Sequence, residues 1–196
     1  MSLQSLVRAS APIDEIAAWL DGLDHDTRRN EVQSLGGADQ RRLFDAAEAS
    51  PPIDLAFFVP AGVEELREVV HYGRNSLPAF KLFEKRWCRP RGDEKRLFGY
   101  NEGPTRKLVG PGYFVAHETD AGDARGAIVV DYYLVPDTDV PSGWPAVKPN
   151  HQGLQRLVYH QTRDYMRRVS AHVSIGQAHK REKQVIGTFI LCREPL

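Results

Sequence analysis

The chain has 196 residues with 26 basic and 26 acidic side chains, so its formal charge is zero, and 41% of its residues are apolar. That composition is ordinary for a globular protein, and the length suffices to bury roughly 70% of the unfolded surface without staples. Neutrality argues against a sequence-independent nucleic-acid binder, which draws its affinity from phosphate neutralisation. No apolar run approaches the ~20 residues of a membrane-spanning helix, and the first residues lack the basic start and apolar core of a signal peptide. A cytoplasmic protein with no membrane contact is the expectation.

Residues 1–50 read as a helical collar. Ile13, Ile16, Ala17, Leu20 and Leu23 form an apolar stripe opened by Pro12, Asp14 and Glu15. A second helix over 26–35 stops at Gly36-Gly37, and a third over 38–49 stops at Pro51-Pro52. These helices pack on the main body or present a docking surface to a protein partner.

Residues 51–196 read as an α+β sheet domain, compact with the collar. Residues 53–59 form an apolar run suited to a buried extended segment, and Val63, Leu66, Val69 and Val70 have helical spacing before Gly73. Strands follow at about 81–88, 96–100, 113–118 and 127–135, joined by Gly- and Pro-rich turns. Residues 136–149 hold Pro136, Pro141, Pro145 and Pro149 around Trp144; this stretch is either a strap over the sheet or a lid over a cleft. Beyond it, Leu154, Leu157, Val158, Tyr165, Met166 and Val169 fall on one face of a helix capped by Asn150. The pattern then alternates over 169–175, and a dense apolar strand runs over 185–192. The expected architecture is therefore an antiparallel sheet of about six strands with one long helix, about 151–168, packed on a face. Nothing in the sequence alternates strand with helix as a doubly wound sheet does.

Candidate sites are few. The seven histidines show no metal-ligand spacing, so no metal is expected, and whether a cofactor is used is unknown from the sequence. His117, Asp131 and His172 each interrupt apolar residues in a proposed strand. Asp131 needs a partner if it is buried, and a His/Asp pair in a cleft suits general acid–base chemistry. Tyr100, Tyr113, Tyr133, Trp144 and Tyr159 are the aromatic residues placed to line a space between sheet and helix. Cys88 and Cys192 lie in strand-like runs and read as buried thiols; cross-strand pairing would be possible, but nothing requires it. The leading expectation is non-catalytic binding of a small apolar or aromatic molecule between sheet and helix. The alternatives are an enzyme using the His/Asp pair in the same cleft, and an interaction module, self-associating or binding a protein partner through the N-terminal helices.

Overall fold

In the computed structural model, which describes residues 1–77 and 81–196, the strands pair in chain order and the first meets the last. They are β1 (Val69–Asn75), β2 (Leu82–Cys88), β3 (Arg96–Glu102), β4 (Phe114–Glu118), β5 (Ile128–Asp131), β6 (Thr162–Arg168), β7 (Val173–Lys180) and β8 (Gln184–Arg193). All pairs are antiparallel. The closing seam of β1 on β8 runs from His71 opposite Arg193 to Asn75 opposite Phe189. Closure removes the edges that an open sheet would leave to aggregate.

An eight-stranded barrel is just wide enough for side chains to fill, and alternation decides which ones do so. Trp87 from β2, Leu97 from β3, Phe114 and Ala116 from β4, Ile128 and Val130 from β5, Met166 from β6, and Phe189 and Leu191 from β8 form the interior cluster. The aromatic residues fit because glycine stands opposite them. A Cβ on Gly99 would lie 2.3 Å from the Phe114 ring, and one on Gly176 would lie 2.3 Å from the Phe189 ring.

One end of the barrel is plugged. The short helix α5 (Leu55–Phe58) inserts Phe57 and Phe58, and Phe58 stacks on Trp87 at 4.5 Å. The carbonyls at the end of α5 and just beyond it, which a four-residue helix leaves without partners, are met by side chains. Arg89 donates to Val59 O and Pro60 O, Arg193 donates to Phe57 O, and the buried His71 ring bonds Phe58 O at 3.0 Å.

The outer wall is covered twice. The helices α1 (Leu3–Arg8), α2 (Ile13–Asp21), α3 (His25–Ser34) and α4 (Gly37–Ala46) bury Leu3, Leu20, Val32, Leu35 and Leu43 with Val173, Ile175, Ile190 and Cys192 of β7 and β8. The apolar stripes of the collar are thus used on the barrel itself. Elsewhere Leu66, Val140 and Trp144 cover Cys88, Phe98 and Val115. Trp144 Nε1 donates to Glu68 at 2.6 Å, so residues 136–149 form a strap along the outside of the wall.

The expected architecture is therefore corrected on three counts. The sheet is a closed barrel of eight strands, not an open one of about six. The long helix expected at about 151–168 is absent: α7 (Gln155–Val158) is a single turn, Gln161 adopts a left-handed φ of 59°, and β6 follows. The helical spacing around Val63 to Val70 likewise yields to β1, after Leu66 takes φ 59°. In both places polar residues point inward and apolar residues lie beneath outer elements, which masks the period of two. At 53–59 the extended run is instead the plug helix α5. Among the described residues no helix is long and apolar enough to cross a membrane.

Candidate functional site

The barrel is open at the end opposite the plug. There Leu77, Leu82 and Phe83, the segment around α6 (Arg106–Val109), the end of α7 with Tyr159, and Ile186 surround a cavity of about 110 Å³. The walls are mainly apolar; Asn75, Thr105 and the Glu102–Arg106 ion pair stand nearer the mouth, and a buried polar cluster lies at the inner end: Lys85 from β2, Asn101 from β3, Asp164 from β6, and Tyr132 just past β5.

Lys85 is 1% exposed, and an ammonium ion so enclosed needs every proton accepted. Its Nζ donates to Asp164 Oδ2 at 3.1 Å, to Asn101 Oδ1 at 3.2 Å, and to the Tyr132 hydroxyl. It also lies 4.8 to 5.0 Å from the ring centres of Phe114, Tyr132 and Phe189, close enough for a cation–π contribution. Burial pulls the Lys85 pKa below the usual amine range, against the pull of Asp164. Burial likewise pushes the Asp164 carboxyl above the usual carboxylate range, against the pull of Lys85. The pair neutralises itself, so the cavity floor carries dipoles and hydrogen-bonding groups rather than net charge.

Tyr132 is the turning point of the cluster. Its hydroxyl accepts from Lys85 and from Asn101 Nδ2 at 3.1 Å. Asn101 is itself fixed by donating to Gly112 O at 2.9 Å. The tyrosine's own proton is left with Asn101 Oδ1 at 3.4 Å, long for an O–H···O bond, and with the Asp164 carboxylate, whose charge it helps to hold. A ligand acceptor entering the cavity would compete with Asn101 and Asp164 for that proton. Burial keeps the phenol protonated by raising its pKa well above the usual value. Tyr159 stacks on Tyr132 at 5.3 Å and lines the cavity, and its ring lies where a Cβ on Gly112 would be.

The other residues singled out from the sequence lie elsewhere. Tyr100, Tyr113 and Trp144 pack together outside the wall, with ring centres 4.9 to 6.2 Å apart. Tyr133 is exposed beneath the Arg163 guanidinium. His117 and Asp131 do stand on neighbouring strands: Nε2 lies 3.9 Å from Oδ2, ion-pair range rather than a hydrogen bond. Arg163 donates to the same carboxylate at 3.0 Å. The Asp131 carboxylate draws the His117 pKa upward. Burial works to raise the Asp131 pKa, but His117 and Arg163 hold it below the usual range. This group faces outward on the wall and is not part of the lining of the barrel cavity. His172 is separate from both, at the β6–β7 turn beside Arg193, 3.2 Å away.

Cys88 and Cys192 are free and buried in different outer layers. Among the described residues no group of three or more His, Cys, Asp or Glu could hold a metal ion. A second, wider depression between residues 47–54 and the β4–β5 loop is lined by Glu48, Asp54, Asp120 and Asp123 at the surface.

Sequence reasoning missed Lys85, Asn101, Tyr132 and Asp164. The signal was parity. Lys85 shares a strand face with Phe83 and Trp87, and Asp164 shares one with Thr162 and Met166. Two opposite charges on inward positions of two strands announce a buried pair. No protein-family model, curated protein or solved structure matches this chain.

Proposed function

We propose that the barrel binds a small molecule with an apolar body and a single neutral hydrogen-bond acceptor, a carbonyl group above all, at its inner end. One observation carries this reading: a cavity with mainly apolar walls, open at one end, where Lys85, Asn101, Tyr132 and Asp164 form one hydrogen-bonded cluster at the inner end and the charged pair of the mouth, Glu102 and Arg106, is already matched. Ligand sites are commonly built this way, apolar for affinity and polar at one point for orientation. A cavity of about 110 Å³ approaches the ~150 Å³ that accepts a benzene ring. The bound part is thus a small ring or short chain, and any longer tail leaves through the mouth.

The electrostatics choose the head group. Asp164 already meets the Lys85 charge, so a carboxylate ligand would bring a second anion beside the first in a low-dielectric site. A carbonyl oxygen needs only a donor, which Tyr132 supplies. This departs from the sequence-based expectation in location, since the ligand lies inside the barrel rather than between sheet and helix.

Isothermal titration with 2-nonanone, nonanoate and nonane tests the reading. Burying most of the chain and making one hydrogen bond gives a Kd of ~10–100 µM for the ketone. Nonanoate should bind at least tenfold more weakly. Tyr132→Phe should cost the ketone about fivefold and leave the alkane unchanged. Equal affinity for all three ligands, or tighter binding of the carboxylate, overturns the choice of head group.

A further inference from the structure

The outer rim of the same opening has a second property, independent of what the cavity holds. Among the described residues ten large apolar side chains are exposed, and six of them, Leu77, Leu82, Leu108, Leu154, Leu157 and Val185, lie on the segments that surround the mouth. Leu108 and Leu157 are 71% and 78% exposed. Each sits on a one-turn helix, α6 or α7, and the two are adjacent: a Cβ on Gly110 would touch Gln155. A cluster of this kind marks an interaction site rather than chance exposure.

Cations alternate with these leucines. Lys81 adjoins Leu82, Lys107 adjoins Leu108, Arg156 adjoins Leu157, and Arg181 and Lys183 precede Val185; all five are exposed. Among the described residues none of the five is in a salt bridge, whereas the acids of the same rim are engaged, Glu102 with Arg106, and Glu182 with Arg125 and Arg163. In a chain of zero formal charge this is a marked segregation.

From this juxtaposition we infer that the mouth docks on an anionic lipid bilayer, with the leucines entering the headgroup boundary and the cations meeting acidic lipid. Exposed leucine among lysine and arginine is the composition of interfacial membrane contacts. Nucleic acid would use the cations but leave the leucines in water, and a second copy of this rim would set like charges against one another. Such docking needs no spanning helix, and it would let an apolar ligand pass between bilayer and cavity without crossing water.

Vesicle flotation of the full chain tests this inference. It should partition onto mixed phosphatidylcholine–phosphatidylglycerol vesicles and not onto pure phosphatidylcholine, with partitioning falling as salt rises. Each rim cation contributes about fivefold, so Lys107→Glu/Arg156→Glu should lower partitioning more than tenfold. Leu108→Asp/Leu157→Asp should do the same, while Arg91→Glu, on the β2–β3 turn at the plugged end, should not. All these side chains are exposed, and circular dichroism of each variant checks its fold. Failure of the wild-type protein to partition onto anionic vesicles overturns the inference, as does partitioning that the rim variants leave unchanged. So does a stable dimer that Leu108→Asp/Leu157→Asp dissociates, because the rim would then be covered by a second copy. Ketone titration is read separately, so either reading can fail alone.

Discussion

Replacing Lys85 by methionine is the sharpest perturbation of the barrel interior. The substitution nearly conserves volume, so the packing around Phe114 and Phe189 changes little, while the Asp164 carboxylate, 3.1 Å from Nζ in the native chain, loses its cation at a side-chain exposure of 5%. Breaking a buried pair from one side costs about 3–5 kcal/mol, a large part of the ~5–15 kcal/mol that holds a domain folded. Asp164→Leu should cost a similar amount by stranding the ammonium group. The double variant Lys85→Met/Asp164→Leu removes both charges together and should fall within about 1 kcal/mol of the native chain or exceed it in stability. The cycle would therefore show strong coupling, with the double variant far better than the sum of the singles. Urea unfolding followed by tryptophan fluorescence measures all four proteins.

Acidity adds an internal check. With its folded pKa raised above the unfolded value, the stranded Asp164 destabilises Lys85→Met fully above the folded pKa, and the cost is relieved as pH falls through it. The deficit of Lys85→Met against the native chain should thus be smaller at pH 5 than at pH 8. A cost below ~1 kcal/mol for Lys85→Met, or simple additivity in the double variant, would refute the buried-pair account.

Other consequences follow from the same packing. Gly99→Ala would place a Cβ 2.3 Å from the Phe114 ring and 2.5 Å from Arg86 O; overpacking against backbone should cost about 1–3 kcal/mol, read as a lowered urea midpoint. His71 is wholly buried, and burial pulls its pKa down to about 3. The fold therefore holds His71 neutral, and its contribution is intact above the unfolded pKa near 6.5 and lost as pH falls toward 3. At pH 4.5 a His71→Gln variant should recover about 2–3 kcal/mol of the native chain's acid-induced loss, measured as the difference between their stability–pH curves. Burial pushes the thiols of Cys88 and Cys192 up to about 12 and about 11, so neither should react with Ellman's reagent at pH 8 until the chain unfolds.

Much of the fold was legible where one face of an element meets water. Ile13, Ile16 and Leu20 mark α2 because its other side is solvated, and the run ending at Cys192 marks β8 by its density of apolar residues. Helix α1 lies within the stretch read as a helical collar, but at six residues it is too short to show an apolar stripe of its own. The two missed strands share a physical cause. On β1 both faces are covered, with Val69 and His71 inside and Tyr72 beneath the Arg29 guanidinium of α3, so no polar-apolar alternation survives. On β6 the inward face carries Thr162 and Asp164 because it forms the cavity floor, and its outward arginines and tyrosine imitate a helix surface. Of the aromatic residues expected at a site, Tyr159 lines the cavity, whereas Tyr100, Tyr113 and Trp144 form the seat of the strap. Single-chain patterns give parity along a strand. They do not give which strands close a ring, and it is closure that turns Lys85 and Asp164 into neighbours across 79 residues of sequence.

The most direct test of a ligand site at the barrel mouth is a crystal structure of the chain grown with 2-nonanone. The ketone should lie inside the barrel, its oxygen about 3 Å from the Tyr132 hydroxyl and its chain running out past Phe83 and Tyr159. A ketone bound elsewhere, with the mouth collapsed or filled by its own side chains, would contradict the proposed site.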